Sequence, residues 1–453
     1  MQIIVAGCGT VGNALINQLT SEDHNITVID PDATRVKEAV DMYDVMGIVG
    51  NAASYSTMSD AGIEEADLMI AVTDSDELNL LCCLIANKAG NCHTVARVRN
   101  PVYKQEVGYI KEELGLSMVI NPEEAAAEEA VRLLKFPFAR RVETFARGKV
   151  EMVTVLIEAG NALIGRKLTD IRQEMRTSVL FCVVVRAGET IIPDGHFIPL
   201  ANDEITLIGR NKAMVDFFKR LKFPTSRVHS AMVVGGGAVT YYLAKQLITL
   251  GADVRIFEKD KARAKTLSSE IPEALIINAS GIDRDMLMEE GLANVEAFLA
   301  LTDHDEENIM LSLYAGTVSK SKRVTLVHHV QYNDLVDTLN VGSIIDPREI
   351  TAEMITQFVR GMSNSMGSNI EALHSINDGQ AEVMEFLVAE NAPVIGIPLA
   401  KLDIKKGSLV VAVIRGQETI SPSGTTVIKA KDRVIAVTRD TGFTDIGDIL
   451  AKS

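Results

Sequence analysis

The sequence predicts an α/β protein built as a tandem duplication, in which a doubly wound, Rossmann-like parallel-sheet domain and a small α+β domain each occur twice. Two observations lead to this fold class. Short apolar runs alternate with helical stretches over residues 1–122, as buried parallel strands alternate with crossover helices. A glycine-rich turn follows the first apolar run, and an equivalent run and turn return 228 residues later, with Gly235 in the place of Gly7.

The predicted strands of the first domain are short, and each is followed by small or polar residues. We assign strands to residues 3–6, 27–30, 45–49, 68–72, 94–98 and 118–120. In a doubly wound sheet, ligands bind beyond the carboxyl ends of the strands. The residues that follow these strands are therefore the candidate binding residues.

The first strand leads into a G-x-G-x-x-G pattern, which is typical of a nucleotide-binding turn. Gly7 permits the tight turn, Gly9 lets backbone N–H groups approach a phosphate, and Gly12 lets the next helix pack close to the strand. The start of that helix offers free N–H groups and partial positive charge to a di- or triphosphate. The predicted phosphate-binding residues are Gly7, Cys8, Gly9, Thr10, Val11 and Gly12.

The ends of the second and third strands predict an adenosine subsite. Asp30 lies about 20 residues after the turn, where a carboxylate accepts ribose hydroxyls. The same carboxylate would repel the 2′-phosphate of NADP, so nucleotides with a free 2′-hydroxyl are favoured. Asn51 and Ala52 follow the third strand and are small enough to close over adenine or ribose.

The ends of the fourth and fifth strands carry polar and charged residues. Thr73 and Asp74 are candidate binding residues, although with Ser75 they could instead only cap the following helix. The acids at 74, 76 and 77 match no recognised metal-binding loop, so we predict no metal site. Arg97 lies within a strand and needs a partner, which a bound phosphate or the carboxylate of Glu123 would provide. Arg99 follows it.

The small domain is predicted to be rich in strands. We interpret residues 136–147 as a helix end and a connector. Strand-like segments follow at 150–157, 162–168, 179–185, 190–195 and 203–209, and a last helix runs to residue 223. At about 75 residues, the domain is too small to enclose a substrate beside a cofactor. Residues 224–226 form a predicted second linker.

The second half of the chain repeats the first at a nearly constant separation. The matched pairs, with their separations, are Gly7 and Gly235 (228), Asp30 and Glu258 (228), Asn51 and Asn278 (227), Thr73 and Thr302 (229), and Gly165 and Gly396 (231). This period is far longer than that of solenoid repeats, so each copy is a complete pair of domains. The predicted domains are residues 1–122 and 228–347, which bind nucleotide, and the small domains 141–225 and 367–453.

The second copy offers an equivalent but altered site. Its candidate residues are Gly235, Gly236, Gly237, Ala238, Val239, Thr240, Glu258, Asn278, Thr302 and Asp303. Thr240 replaces the last glycine of the turn, which we expect to hold the helix farther from the strand. His328 and His329 occupy the region of the two arginines and are mostly neutral at pH 7. The second site is thus weaker, tuned to another nucleotide, or a structural relic.

Composition excludes several classes of partner. A net charge of −16 would repel both nucleic acid and an anionic bilayer, and the absence of Trp removes a common platform for stacking bases. We therefore expect no nucleic acid and no direct lipid binding. Apolar runs fall short of the roughly 18 residues of a membrane span, and no export signal is predicted. The five cysteines include no C-x-x-C pair and are expected to be reduced core thiols of a cytoplasmic protein.

These motifs together resemble the family of regulators of potassium conductance (RCK domains), in its tandem form. The matching segments are Met1-x-Ile-Ile-Val-Ala-Gly7-x-Gly9-x-Val-Gly12, Asp30, Gly50-Asn51-Ala52, Ala71-Val-Thr73-x-x-Asp76-Glu77-x-Asn79, Ala96-Arg97-Val-Arg99, Gly165-x-x-Leu168-x-x-Ile171 and Gly396-x-x-Leu399-x-x-Leu402. The resemblance covers essentially the whole chain.

The resemblance implies a regulator that lies at the inner face of the membrane through its partner, a Trk-type, TrkH-like potassium transporter or channel. A homotetramer would supply the eight nucleotide-binding lobes and small domains of a gating ring. NAD or NADH, and alternatively ATP or ADP, would be the effectors. An NAD-dependent oxidoreductase is the alternative function, but the small domains offer no proton donor in a cleft. No Walker A pattern is present, and a pure scaffold would leave Asp30 and Arg97 without a role.

Overall fold

The computed structural model describes the chain apart from residues 21, 23, 91, 101–102, 104–105, 108, 110, 112, 137, 147, 224–227, 329–338, 364–368, 378, 417, 441–442, 444 and 452–453. The described residues form two compact units. One unit comprises Met1–Val131 and His229–Thr356, and the other comprises Arg132–Val228 and Gln357–Ser453. Each unit thus combines domains of the same kind from the two halves of the chain.

The first nucleotide-binding lobe is built on a six-stranded parallel sheet. Its strands are β1 (Gln2–Ala6), β2 (Asn25–Asp30), β3 (Met46–Val49), β4 (Leu68–Ala71), β5 (His93–Arg97) and β6 (Met118–Ile120). Their order is β3-β2-β1-β4-β5-β6, with every neighbouring pair parallel. The six predicted strands are therefore confirmed to within two residues at each end. The strand order reverses between β1 and β4, and doubly wound sheets bind ligands at this point.

The helices of this lobe cover both faces of the sheet. They are Thr10–Thr20, Ala33–Tyr43, Tyr55–Asp60, Asp76–Gly90 and Pro122–Lys135. The first helix buries Leu15, Ile16 and Leu19 at the i, i+1, i+4 spacing of one helical face. No helix in the described part of the chain is both long and apolar enough to cross a bilayer.

The second lobe has the same topology. Its strands are β12 (Ser230–Val234), β13 (Asp253–Phe257), β14 (Leu275–Ile277), β15 (Ala297–Ala300), β16 (Lys322–Leu326) and β17 (Ser343–Ile345), in the order β14-β13-β12-β15-β16-β17. Its helices are Ala238–Thr249, Lys261–Glu270, Arg284–Glu289, Asp305–Val318 and Pro347–Ser363. The two lobes contact each other within their unit, where Asn121 donates to the hydroxyl of Tyr242 (3.0 Å) and Gln18 donates to Glu349 (3.2 Å).

The first small domain is a five-stranded antiparallel sheet with two helices. Its strands are β7 (Ala139–Phe145), β8 (Val150–Leu156), β9 (Leu180–Arg186), β10 (Glu189–Ile191) and β11 (Glu204–Gly209), and its helices are Leu168–Met175 and Asn211–Arg220. The prediction of a connector at 136–147 was wrong, because Ala139–Phe145 forms β7, the edge strand beside β8. The segment 162–168 is also not a strand: it turns and leads into the helix Leu168–Met175. The predicted linker at 224–226 lies outside the described residues.

The second small domain repeats the first and shares a core with it. Its strands are β18 (Ile370–Ile376), β19 (Ala381–Leu387), β20 (Ser408–Arg415), β21 (Glu418–Ile420) and β22 (Arg433–Thr438). Their order, β18-β19-β22-β20-β21, matches that of β7-β8-β11-β9-β10. Phe145 and Met152 of the first domain pack in one buried cluster with Val383 and Ile435 of the second. The two small domains therefore complete each other's hydrophobic core.

Candidate nucleotide-binding sites

The first site is organised by the carboxylate of Asp30 at the end of β2. One oxygen accepts a hydrogen bond from the backbone N–H of Cys8 (2.8 Å), and the other accepts from the backbone N–H of Asp32 (2.9 Å). Asp30 is 4% exposed and holds the glycine turn against the end of β2. A carboxylate oxygen has a second lone pair, so Asp30 can fix the turn and still accept a ribose hydroxyl.

The second lobe repeats this arrangement with a longer acid. The carboxylate of Glu258 accepts from the backbone N–H groups of Gly236 and Asp260, both at 2.7 Å. In addition, Nε of Arg263 donates to the carbonyl oxygen of Gly236 (2.7 Å). The acid after the second strand therefore orders the glycine turn in both copies, a role that sequence reasoning did not foresee.

A buried asparagine clamps the loop after the fourth strand. Oδ1 of Asn79 accepts from the backbone N–H and the hydroxyl of Thr73 (2.8 and 2.7 Å). Its Nδ2 donates to the carbonyl oxygens of Thr73 (3.2 Å) and Arg97 (2.9 Å). The clamp thus joins the ends of β4 and β5 and uses the full hydrogen-bonding capacity of a fully buried side chain.

The same clamp recurs in the second lobe around Asn308. Its Oδ1 accepts from the N–H and hydroxyl of Thr302, and its Nδ2 donates to the carbonyl oxygens of Thr302 and Leu326, all at 2.9 Å. Asn79 lies in a motif that matches the family, but neither asparagine is among the residues predicted for the two sites. The repeat carried the signal, since T-D-x-D-E-x-N occurs at residues 73–79 and again at 302–308.

The helix that follows β4 is capped by Ser75. Its hydroxyl accepts from the backbone N–H of Leu78 (3.2 Å), as an N-cap side chain does. Thr73 faces the asparagine clamp instead, and the side chain of Asp74 is 89% exposed. Capping therefore accounts for Ser75 and leaves Thr73 and Asp74 as candidate binding residues.

The other acids of this loop order neighbouring loops. Oδ2 of Asp76 accepts from the backbone N–H groups of Arg99 (2.9 Å) and Asn100 (2.8 Å), which ties the loop after β5 to the helix start. Glu77 accepts from the hydroxyls of Ser75 and Tyr103, both at 2.8 Å. Among the described residues, no three acidic, histidine or cysteine side chains are arranged to hold a metal ion.

Arg97 is a buried cation at the end of β5. Its Nη2 donates to the carbonyl oxygen of Thr73 (2.6 Å) and lies 3.4 Å from Oδ1 of Asp74. Its Nε is buried and has no hydrogen-bond partner among the described residues. Burial, and then the charge of Arg99, lowers the pKa of Arg97, while the charges of Asp74 and Glu123 act in the opposite direction. Of the two partners predicted for Arg97, Glu123 acts only through its charge at longer range.

The second lobe lacks this cation. Leu326 stands at the position of Arg97, because each carbonyl oxygen accepts from the clamp asparagine of its lobe. His328 stands at the position of Arg99, since its backbone N–H donates to Asp305 as that of Arg99 donates to Asp76. The prediction that His328 and His329 occupy the positions of the two arginines was therefore wrong in register. Between residues 308 and 347 the sequence offered no matched residue that would have fixed the alignment. His329 lies outside the described residues.

The glycine turns differ at their last position. A Cβ added to Gly12 would lie 1.9 Å from the carbonyl oxygen of Gly7, so no other residue fits there. At the equivalent position in the second lobe, the hydroxyl of Thr240 donates to the carbonyl oxygen of Gly235 (2.6 Å). Thr240 therefore accommodates the turn through a hydrogen bond in place of close backbone packing.

The remaining predicted residues line the edges of the two sites or support them. Oδ1 of Asn51 accepts from the backbone N–H of Ala53 (2.9 Å), whereas Asn278 donates to the carbonyl oxygen of Glu258 (2.9 Å). Thr10, Val11, Ala238 and Val239 belong to the first helical turns. Ala52 is buried.

A pocket in the second lobe brings most of its predicted residues together. It lies at the carboxyl ends of β12, β13 and β15, and its lining includes Gly235, Gly236, Gly237, Glu258, Lys259, Thr302, Asp303, His304 and Glu307. Six of these were predicted from the sequence, whereas Lys259, His304 and Glu307 were not. An open pocket at this position favours a binding site over a structural relic.

Comparison with known proteins identifies the family. The TrkA-N domain model matches residues 3–122 and 231–347, and the TrkA-C domain model matches residues 152–222 and 383–450. The Trk system potassium uptake protein TrkA of Haemophilus influenzae is 30% identical over 450 residues, which cover 97% of this chain and 96% of that protein. The Trk system potassium uptake protein TrkA homolog 1 of Methanosarcina mazei is 32% identical over 443 residues, or 96% of each chain.

Among solved structures, the GsuK channel bound to NAD has a similar fold. It aligns with a TM-score of 0.63 at 16% sequence identity, covering 96% of this chain and 76% of the channel. This likeness supports the fold that the sheets already define. On the basis of the tandem domain matches and of full-length relatives at this level of identity, the chain belongs to the TrkA family of Trk system potassium uptake proteins.

Proposed function

We propose that the chain is a nucleotide-sensing regulatory subunit that controls potassium uptake through a membrane Trk-type channel or transporter. The observation that carries the proposal is the repeated arrangement of a glycine turn, an acid that orders it, and an asparagine clamp, in a chain of the TrkA family. In this function the protein would be cytoplasmic and would reach the inner face of the membrane through its transporter partner.

The ligand is an adenosine nucleotide with a free 2′-hydroxyl. The glycine turn and the helix start suit a diphosphate, and the carboxylate of Asp30 suits a ribose hydroxyl and disfavours a 2′-phosphate. NAD or NADH fits these groups, and ATP or ADP is the alternative effector. The GsuK channel, whose fold is similar, was solved bound to NAD, which agrees with this choice.

Regulation would follow from differential affinity. A nucleotide that binds one conformation of the subunit more tightly shifts the population toward that conformation, and a nucleotide that binds both equally shifts nothing. We propose a homotetramer, whose eight lobes would form a gating ring beneath the transporter. Catalysis is not part of this proposal, in which the bound nucleotide acts as an effector and is not chemically altered.

Calorimetric titration of NADH, NAD, ATP and ADP into the purified protein tests the proposal, with absorbance at 340 nm followed in the NADH sample. We expect binding at one or two sites per chain without loss of NADH. Turnover of NADH with a small carbonyl substrate would identify an oxidoreductase, and absence of binding by all four nucleotides would contradict a nucleotide sensor. A potassium-uptake assay with the transporter, with and without the tightest ligand, then tests regulation.

A further inference from the structure

The two nucleotide lobes differ in the distribution of charge along their binding edges. In a doubly wound lobe, the adenosine end of a nucleotide lies over the strand that carries the acid, and the phosphates lie at the glycine turn. The distal part of the ligand then lies toward the fourth and fifth strands. In the second lobe this direction runs from Lys259, after β13, to Asp303 and Glu307, after β15, and all three residues line the pocket.

The distal end of the second pocket has lost its cations. Leu326, which is 3% exposed, replaces Arg97, and His328 replaces Arg99. The sequence holds no Lys or Arg between Arg323 and Arg348. Arg348 does not compensate, because its guanidinium forms a two-point contact with the carboxylate of Asp346 (2.5 and 3.0 Å).

The same end has also gained negative charge. Glu307 lines the pocket at the position of Leu78, one residue before the clamp asparagine in each lobe. Asp303 is equivalent to Asp74 of the first lobe. Asp74 lies beside the buried Arg97, whereas Asp303 has no arginine at the equivalent position. A terminal phosphate in this region would therefore meet carboxylates in place of the guanidinium of Arg97.

The adenosine end of the second pocket shows the opposite change. Lys259, which lines the pocket, follows the acid Glu258, whereas Pro31 follows Asp30 in the first lobe. The carboxylate of Glu258 is already engaged by two backbone N–H groups. Compared with the first lobe, the second lobe therefore has less positive charge near the distal end of the ligand and more near its adenosine end.

From these contacts we propose that the two lobes bind different nucleotides. The second pocket takes an adenosine dinucleotide with no charged phosphate beyond the pyrophosphate, of which NAD⁺ is the type, and it discriminates against ATP. The positively charged nicotinamide ring of NAD⁺ suits the carboxylates of Asp303 and Glu307, which repel a γ-phosphate. The first lobe, with Arg97, accepts ATP at least as well as NAD⁺. This inference rests on the proposed nucleotide-sensing function.

Matched glycine variants isolate the two sites in the full-length chain. A Cβ added at Gly9 or at Gly237 meets no atom within 4 Å, so either position is open at the first atom of a side chain. Gly9→Asp and Gly237→Asp each place a carboxylate where a phosphate would bind, and thermal melting confirms that each variant is folded. Calorimetry with ATP and with NAD⁺ then measures one lobe at a time.

We expect the Gly9→Asp protein, whose second lobe is intact, to bind NAD⁺ about tenfold more tightly than ATP, a difference of about 1.4 kcal/mol. The Gly237→Asp protein should bind ATP at least as tightly as NAD⁺. The same preference in both variants would overturn the inference while leaving the proposed function intact. The inference would also be overturned, and the proposed function left intact, if the Gly9→Asp protein bound neither nucleotide while the Gly237→Asp protein bound one. If wild type and both variants bind neither nucleotide, the proposed function itself fails.

A second pair of substitutions tests the cause of the discrimination. In the Gly9→Asp background, Asp303→Asn combined with Glu307→Gln removes two charges at nearly constant volume. ATP affinity should then rise about tenfold, and NAD⁺ affinity should not rise. Unchanged ATP affinity would show that these carboxylates do not select the nucleotide and would overturn the electrostatic argument.

Discussion

At the scale of single residues, the charged groups of the first lobe have separable roles. Asp30 contacts the turn near the ribose position, whereas Arg97 lies beside Thr73 and Asp74 at the distal end of the site. Any adenosine nucleotide would contact Asp30 through its ribose, whatever its distal group is. Only a ligand with distal phosphates gains from the charge of Arg97.

We therefore predict that Asp30→Ala weakens binding of NADH and ATP by similar factors, about tenfold each. Arg97→Ala should weaken ATP binding more than NADH binding. Calorimetry on the Gly237→Asp background, which leaves only the first site, measures both effects. Lys37→Ala is the control, since it removes one exposed positive charge from the same lobe. Equal losses of ATP and NADH affinity in Arg97→Ala would contradict a phosphate role for this residue.

The asparagine clamp belongs to the same scale. Asn79→Ala removes four hydrogen bonds from a fully buried position and leaves the N–H and hydroxyl of Thr73 without their acceptor. We expect a loss of about 2–4 kcal/mol of stability, measured by urea unfolding. Asn294→Ala, at an exposed position, is the control and should change stability by less than about 0.5 kcal/mol. A urea unfolding curve like that of the control would show that the loop is held by other contacts.

At the scale of elements, the fit of a helix on its strand depends on a single glycine. The first helix approaches the end of β1 so closely that the Cβ of any residue at position 12 would lie 1.9 Å from the carbonyl oxygen of Gly7. Hydrophobic burial of Leu15 and Leu19 on the same helix holds it there. The start of the helix and the glycine turn are therefore packed too closely to move independently of each other.

This geometry predicts different effects for two neighbouring glycines. Gly12→Ala should destabilise the protein by about 3 kcal/mol, because the added methyl group overlaps backbone atoms that cannot turn away. Gly9→Ala meets open space and should change stability by less than about 1 kcal/mol. Urea unfolding of the two variants side by side measures the difference. Equal stability would mean that the helix start can shift to admit a methyl group.

At the scale of the whole molecule, the two small domains depend on each other. Their shared cluster includes Phe145 and Val383, and polar contacts accompany it. The carboxylate of Glu385 accepts a hydrogen bond from the backbone N–H of Ala146 (2.8 Å). His374 is buried beside Phe145, and its Nδ1 lies 3.1 Å from Oε2 of Glu143. A half-chain would expose this apolar surface to water, which costs about 25 cal/mol for each Å².

We predict that residues 1–228, expressed alone, self-associate or aggregate, and that light scattering coupled to gel filtration detects this. The separately expressed second half, residues 229–453, should form a one-to-one complex with the first half when the two are refolded together. A stable, monomeric first half would contradict the shared core.

The cysteines supply a further test of the whole fold. All five are free and buried, which confirms the prediction of core thiols. Burial raises the pKa of Cys8, Cys82 and Cys182 to about 12 and that of Cys92 to about 11, and it raises the pKa of Cys83 as well. Since the thiolate is the reactive form, the native protein should not react with Ellman's reagent at pH 8 within minutes. In guanidinium the unfolded protein should react at all five thiols. Rapid reaction of the native protein would indicate local opening.

The sequence alone determined the tandem repeat, the strands of the first parallel sheet and the positions of both glycine turns. Those features are local: they depend on short apolar runs, on glycines that a tight turn requires, and on spacings that a duplication preserves. The candidate residues Asp30, Thr73 and Arg97 were found because parallel strands end at one edge of a sheet.

Only the tertiary structure decided the rest, because those features depend on partners far apart in the chain. Strand β7 was missed since it is an edge strand with charged residues, and its apolar side is buried partly by the second small domain. The match of Leu326 with Arg97 was established by the asparagine that contacts each carbonyl oxygen. The pairing of like domains from the two halves likewise results from hydrophobic surfaces that no local pattern reports.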